Sequence, residues 1–352
     1  MEPDDARALL SHAQRLSDEA RCEGTSVAGV AAAVVGLQAQ DLHAASLGVR
    51  ARLALSSASA VERERTQSRS VVRVWCMRGT LHLVAARDAR WLVDLLGPVG
   101  LARGAKRRAQ MGVSTPEAVA AVRRILGEHG PLTRHEVAAR VRQRGVALAD
   151  DRQMPVHLVA CAALEGHVCE AGARDGEPAY ALTDDWLGPR DRNPLKRDRA
   201  LAELARRYMT AHPPAGPEDM AAWSGLGVTE ARRAFAAIER ELDAVRVLNR
   251  DVWVPRALSR DVVAPSARLL PAFDGLLLAH SGRSLTVSPA HAKAVLPGGG
   301  VLRPTVLVDG RVEGTWGLAR SVPEITAFNE LSDDARAALE SERADVVRHR
   351  ES

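Results

Sequence analysis

Pro131-Leu132-Thr133-Arg134-His135-Glu136 opens a helix. The Thr133 hydroxyl is placed to accept from the backbone N–H of Glu136, and the Glu136 carboxylate to reach back to the N–H of Thr133, which makes a capping box. Upstream, Thr115-Pro116-Glu117 starts a helix that runs to about His129. Downstream, residues 154–165 read as a third helix, and residues 166–169 and 179–183 as strands around a loop at 171–178. Three helices followed by a two-stranded ribbon is the winged-helix order, a helix-turn-helix variant used mostly on DNA.

The same order recurs on both sides. Residues 195–211, 217–223 and 229–242 read as helices, followed by a ribbon at 244–248 and 252–255 joined through Asn249-Arg250-Asp251. Towards the N-terminus, helices at 5–16, 26–37 and 59–68 precede two β-type runs, Val71-Val72-Arg73-Val74-Trp75 and Thr80-Leu81-His82-Leu83-Val84. Residues 49–55 read as irregular, and a helix at 88–96 stops at Gly97-Pro98. The three blocks share element order and not residues.

From Ala267 the pattern turns to β, with runs at 269–275, 284–287 and 305–316, and Asp309-Gly310 is the strongest hairpin signal of the chain. Residues 288–296 read as a short helix, Gly298-Gly299-Gly300 as a loop tip, and the last twenty residues as a solvated helix packed on this β unit. The expected fold is therefore α+β and mainly helical: three tandem winged-helix motifs at 1–100, 101–190 and 191–265, then a C-terminal β unit at 266–352.

Composition narrows the function. The chain has 352 residues, 46% hydrophobic and 26% charged, enough for several self-sufficient cores. Cys22, Cys76, Cys161 and Cys169 form no CxxC pair, and Cys161, His167 and Cys169 lack ligand spacing, so the cysteines read as reduced core thiols and neither metal nor cofactor is expected. Met1-Glu2-Pro3-Asp4-Asp5 does not start a secretory leader and no apolar run is long enough for a bilayer, which predicts a cytoplasmic protein without a membrane partner. Net charge is +4, with the excess unevenly spread. Between residues 101 and 145, ten basic side chains face Glu117, Glu128 and Glu136, a local balance of +7. Phosphate contact is the functional reading of the cluster Arg103, Lys106, Arg107 and Arg108, and of Arg73, Arg78 and Arg311 in or beside hairpins; a solvated face is the alternative. The preponderance of arginine over lysine suits phosphate, although a GC-rich genome gives the same bias.

One further stretch stands out, Gly36-Leu37-Gln38-Ala39-Gln40-Asp41, at the end of an apolar run. On a helix, residues two apart diverge by about 200°, so Gln38 and Gln40 can share a pocket only where the helix ends or distorts, which Gly36 permits. Two ordinary glutamines at a helix end fit the same residues.

Leu37-Gln38-Ala39-Gln40-Asp41, Val72-Arg73-Val74-Trp75-Cys76-Met77-Arg78-Gly79-Thr80-Leu81-His82-Leu83, Leu270-Pro271-Ala272-Phe273-Asp274, and Arg303-Pro304-Thr305 with Val308-Asp309-Gly310-Arg311-Val312-Glu313-Gly314-Thr315-Trp316 fall in order over residues 37–316. In these motifs the chain resembles the bacterial winged-helix DNA glycosylases of the azinomycin-resistance type. The resemblance implies tandem winged helices in a C-shape, acting as a monomer on double-stranded DNA to remove N7-alkylated purines, including antibiotic crosslinks. It maps the family's Gln-aliphatic-Gln motif onto Gln38, Ala39 and Gln40 as catalytic candidates, against a second branch with Asp in the last position. Arg303 joins the DNA-binding candidates through the same motifs. The chain departs from the pattern at His280-Ser281-Gly282-Arg283, where many relatives have an Asp before the Arg, so neither Gly282 nor Arg283 receives a role.

The chemistry is consistent with that assignment. An N7-alkylguanine carries its positive charge already and leaves neutral, so it needs no general acid, only a placed water and support for an oxocarbenium-like sugar. Two amide carbonyls can supply both. Asp41 is an auxiliary candidate that adds negative charge or simply caps a helix. No lysine nucleophile stands near the motif, which favours hydrolysis without a Schiff base. His82 and Asp274 read first as structural, and the 3% aromatic content argues that adducts are reached from the groove and not caged between rings. A winged-helix regulator without chemistry, or a protein that sequesters a drug, remain the alternatives.

Overall fold

The computed structural model describes residues 1–22, 26–191 and 193–352; the side chain of Cys22, expected in the core, lies outside the described residues. Chain packing gathers the polypeptide into two units, one of residues 1–62, 201–223 and 227–352, the other of residues 63–200 and 224–226. The chain thus leaves the first unit and returns to it, whereas the sequence pattern reads as four consecutive blocks.

In the first unit, helices α1 (Pro3–Ala13), α2 (Asp18–Cys22) and α3 (Val27–Ala33) lead to the two-residue strand β1 (Leu37–Gln38) and helix α4 (Leu42–Arg52). Helix α3 stops well short of the glutamines, because Val35 and Gly36 take positive φ angles of 57° and 95°. Residues 49–55, read as irregular, mostly belong to α4. This helix was hidden because it is buried along Ala44–Arg52, with no polar stripe to mark a period. Helix α5 (Ala58–Thr66) carries the chain into the second unit.

There the hairpin β2 (Val71–Trp75) and β3 (Leu81–Ala85) pairs Val74 with His82, and α6 (Ala86–Ala102) follows directly. Gly97-Pro98 does not stop α6. A Cβ on Gly97 would lie 2.0 Å from the Leu164 carbonyl oxygen, so the glycine marks a close helix approach, whose packing outweighs the bond lost at Pro98. After α7 (Ala105–Gln110), the winged helix read from the capping box is complete: α8 (Pro116–His129), β4 (Leu132–Thr133), α9 (Arg134–Gln143), α10 (Met154–Leu164), β5 (Val168–Arg174) and β6 (Glu177–Leu182), in sheet order β4-β6-β5. Thr115 caps α8, and both arms of the Thr133/Glu136 capping box are made. The expected loop at 171–178 shrinks to a turn at Asp175 and Gly176, both at positive φ. Val122, Ile125, Val137, Leu158 and Tyr180 form the core, and Trp75 stacks on Tyr180 at 6.0 Å.

Past α11 (Thr183–Leu187), helix α12 (Arg197–Ala211) returns to the first unit and begins the third repeat of this order, α13 (Pro217–Ser224), α14 (Val228–Ala236), β7 (Leu242–Val247) and β8 (Arg250–Pro255). Ala215 bridges to Trp253 where β4 stands in the preceding block. The C-terminal sheet then runs β12-β11-β10-β9, from β9 (Arg268–Leu270), β10 (Thr305–Val308), β11 (Arg311–Ala319) and β12 (Val322–Ala327), with short helices α15 (Gly275–Leu278) and α16 (Ala292–Val295) between its strands. Asp309 and Gly310 turn β10 into β11 as expected. Residues 284–287, read as a strand, form a turn, because the N–H groups of Thr286 and Val287 donate to the Arg283 carbonyl. Helix α17 (Asp333–Glu351) is not merely a solvated helix, since Leu339, Glu342, Val346 and His349 are buried. The molecule is α+β and mainly helical.

Cys76, Cys161 and Cys169 are buried and unpaired, and burial pushes their thiols up to about 12, 11 and 12. No helix among the described residues is long and apolar enough to cross a membrane.

Candidate active site

The Gln stretch leaves the helix for the two-residue strand β1 and bends at Gln40 and Asp41, so its side chains are freed from helical spacing. Leu37 and Ala39 turn inward, Gln38 is half-buried and Gln40 is exposed. The 200° divergence expected on a helix is thereby removed, and Gln38 Nε2 donates to Gln40 Oε1 at 3.1 Å. Asp41 ends the stretch as N-cap of α4, its carboxylate accepting from the His43 N–H at 2.8 Å.

What holds this stretch is α4. A Cβ on Gly48 would lie 2.8 Å from Leu37 Cδ2 and 3.7 Å from Pro271, so the helix rests directly on β1 and on the Leu-Pro-Ala-Phe-Asp segment. At its far end Arg52, 1% exposed, forms a bidentate pair with Asp274 at 2.7 and 2.8 Å and donates to Gln14 Oε1 at 3.0 Å. Gln14 in turn donates to the Ala211 carbonyl at 2.7 Å and meets His212 Nδ1 at 3.0 Å. Asp274 also caps α15 through the Leu276 N–H. Two residues before Arg52, the fully buried Arg50 binds Glu342 of α17 at 2.6 Å and the Leu269 carbonyl. Trp316 Nε1 donates to the Leu270 carbonyl at 2.8 Å. Three of the four motifs therefore meet around α4, and Asp274 acts in the structural role read for it.

The arginines divide. Arg73 was expected at phosphate, but it is buried and shares Glu170 with Arg65, at 2.7 and 2.9 Å. Arg108 is likewise buried, donating to the carbonyls of Gly100, Leu101 and Arg103 where α6 ends. Both are corrected to structural roles: a guanidinium that satisfies buried oxygens is not offered to DNA. Arg103 and Lys106 are exposed, and Arg107 pairs with Asp151. Arg78 sits half-buried at the hairpin tip with φ 56°, and Arg103 Nη1 donates to its carbonyl at 3.5 Å. Arg303 donates to the Ala294 carbonyl at 3.3 Å, and Arg311 faces Glu313 at 3.6 Å. His82 is buried with Nδ1 3.0 Å from the Thr80 carbonyl oxygen, and burial, with Arg78 nearby, pushes it down to about 3, which marks a neutral core histidine.

Sequence reasoning missed Arg50, Arg52 and Gln14, whose only signal was a pair of arginines inside an Ala-rich run. It also could not see that Leu37 and Gly48 set the direction of the Gln pair.

The family model described as DNA glycosylase AlkZ-like matches residues 31–349, a span containing all four motifs. The chain belongs to this family. AlkZ-like proteins are DNA glycosylases, so the chain is a hydrolase of N-glycosyl bonds that acts on DNA. It is 26% identical over 342 residues to an interstrand DNA cross-link repair glycosylase of Streptomyces sahachiroi, across 92% of this chain and 90% of the relative. It is also similar to the solved structure of Streptomyces sahachiroi DNA glycosylase AlkZ, with a TM-score of 0.83, 25% identity, and coverage of 99% of this chain and 96% of the other. The AlkZ-like fold thus extends over essentially the whole chain.

Proposed function

We propose that the chain hydrolyses the N-glycosidic bond of N7-alkylated purines in double-stranded DNA, with Gln38 and Gln40 as the reacting pair. The observation that carries this reading is their placement: two uncharged amides joined at 3.1 Å, just before the N-terminus of a helix anchored by buried ion pairs. The hydrogen bond fixes the Gln38 amide, and a carbonyl oxygen, having two lone pairs, can accept from a water while it accepts from its neighbour. A water so held, beside carbonyl dipoles aimed at a cationic sugar, is what departure of a neutral base requires. Asp41 is an auxiliary at most, since its carboxylate already caps α4. The cross-link repair relative supports interstrand crosslinks as substrates; a DNA-alkylating natural product as their source, access from the groove and a monomeric enzyme extend that reading.

The test is release of 7-methylguanine from methylated duplex DNA by the native chain, Gln38→Ala and Gln40→Ala, with folding checked by circular dichroism. Release is expected to fall at least about tenfold in each variant, roughly 1.4 kcal/mol in the barrier. Unchanged release by both variants would remove the pair from the reaction. Sedimentation as a two-fold dimer would remove the monomer from this reading.

A further inference from the structure

Four distant segments of the first unit meet at a cleft of about 350 Å³: the first turns of α1, the β7–β8 turn at Leu248, the turn at 284–288, and Arg311 at the start of β11. Two arginines line it in different settings. The Arg7 side chain is 9% exposed and that of Arg311 48%. Gly310 explains their meeting. Its φ is 75°, and a Cβ there would lie 2.8 Å from the Arg7 Cβ, so only glycine lets the β10–β11 turn lie flush against α1.

Two guanidiniums at one cleft repel unless an anion joins them. Burial, and then the charge of Arg311, push the Arg7 guanidinium down from its ordinary value, partly offset by Glu313, which faces Arg311 at 3.6 Å. Arg7 Nη1 donates to the Leu285 carbonyl at 3.3 Å, while its Nε is buried without a hydrogen-bond partner. The anion that Arg7 does hold is the carboxylate of Asp4, a side chain otherwise 88% exposed to solvent. Such a carboxylate can turn to water at little cost, and an oxyanion with more acceptors would fit the vacated fork better. Ser284, Thr286 and Ser288 add hydroxyls to the lining.

We propose that this cleft is a phosphate site, in which a phosphate oxyanion replaces the Asp4 carboxylate on Arg7 and bridges to Arg311. The chain acts on DNA, so the phosphodiester backbone is the first source of that group and free phosphate the second. The site draws on the DNA glycosylase activity and not on the roles of Gln38 and Gln40.

Affinity for a lesion-free duplex, measured by fluorescence anisotropy across a salt series, tests it in the full chain, Arg7→Gln, Arg311→Gln and Asp4→Asn. Loss of one phosphate contact flattens the slope of log K against log salt by about 0.9, and Kd is expected to weaken several-fold in both arginine variants. Asp4→Asn should tighten binding, because it removes the competitor. Should Arg7→Gln fail to fold, Arg311→Gln and Asp4→Asn still decide, since both side chains are about half exposed or more. In parallel, inorganic phosphate is titrated while the Arg7 Nε–H resonance is followed by NMR. A saturable shift that disappears in Arg311→Gln, with DNA slopes unchanged, would assign the site to free phosphate. Unchanged slopes in all variants together with no phosphate-dependent shift overturn the site. Gln38→Ala, in the same binding assay, should leave the slope as it is and so separates this test from that of the reaction.

Discussion

Helices α4 and α8 are held in opposite ways. Helix α8 buries Ala118, Val119, Val122, Ile125 and Leu126 on one stripe and leaves Arg123 and Arg124 in water. Helix α4 buries nearly its whole length, and two of its buried side chains are arginines. The first arrangement needs only apolar neighbours of roughly the right shape. The second needs Asp274, Glu342, Gln14 and the Leu269 carbonyl each in its place, because a buried guanidinium left without its partner is far costlier than an exposed one. The difference teaches where this protein invests specificity: the helix that follows the Gln pair is positioned by directional, buried ion pairs, and the second winged helix by packing.

The largest expected effect lies at the α4 anchor. Asp274→Ala should destabilise the protein by about 3–5 kcal/mol, read from urea unfolding, because it strands Arg52 at 1% exposure. Replacing both partners, Arg52→Met with Asp274→Leu, should recover much of that loss. A cost for Asp274→Ala no greater than for a surface pair would erase the contrast between the two helices.

Acid sharpens it next. Burial holds His349 of α17 down to about 4, between the hydroxyls of Ser46 and Ser56, and His82 of the other unit down to about 3. Unfolded, each histidine titrates near its ordinary value of about 6.5, so below about pH 6.5 the unfolded chain binds more protons. Stability should therefore fall as pH drops, by up to about 1.4 kcal/mol per pH unit and per histidine, down to about pH 4 for His349 and about pH 3 for His82. In urea midpoints, His349→Gln should flatten the dependence between about pH 4 and about pH 6.5, leaving the part due to His82 and to His212 and His280, which burial also lowers.

Smaller effects belong to the second winged helix. Thr133→Ala removes the reciprocal cap of α9 and should cost about 1 kcal/mol. Arg124→Ala breaks only an exposed pair with Glu128 and should cost less than about 0.5 kcal/mol by the same measurement.

How much could be read in advance follows the same division. The capping box, the Asp309-Gly310 turn and the repeated order of helices and ribbon were legible because they depend on neighbours a few residues away. Helix α4 was not, since its period is masked by burial on all sides. Arg73 and Arg108 look like any other basic residue of their segments until Glu170 and the end of α6 are seen to claim them. Pro98 was read as a stop because the Gly97 contact with Leu164 lies outside any local window.

By itself, then, the sequence determined the class of fold, the motifs of the family and the identity of the Gln pair as the stretch to watch. Only the tertiary structure decided that Gln38 and Gln40 face the same way, which arginines are buried and which are offered to solvent, and that Arg7 meets Arg311 across Gly310. The reason is physical: caps and turns are settled by hydrogen bonds within one turn of the chain, whereas a buried charge is settled by whichever distant residue comes to neutralise it.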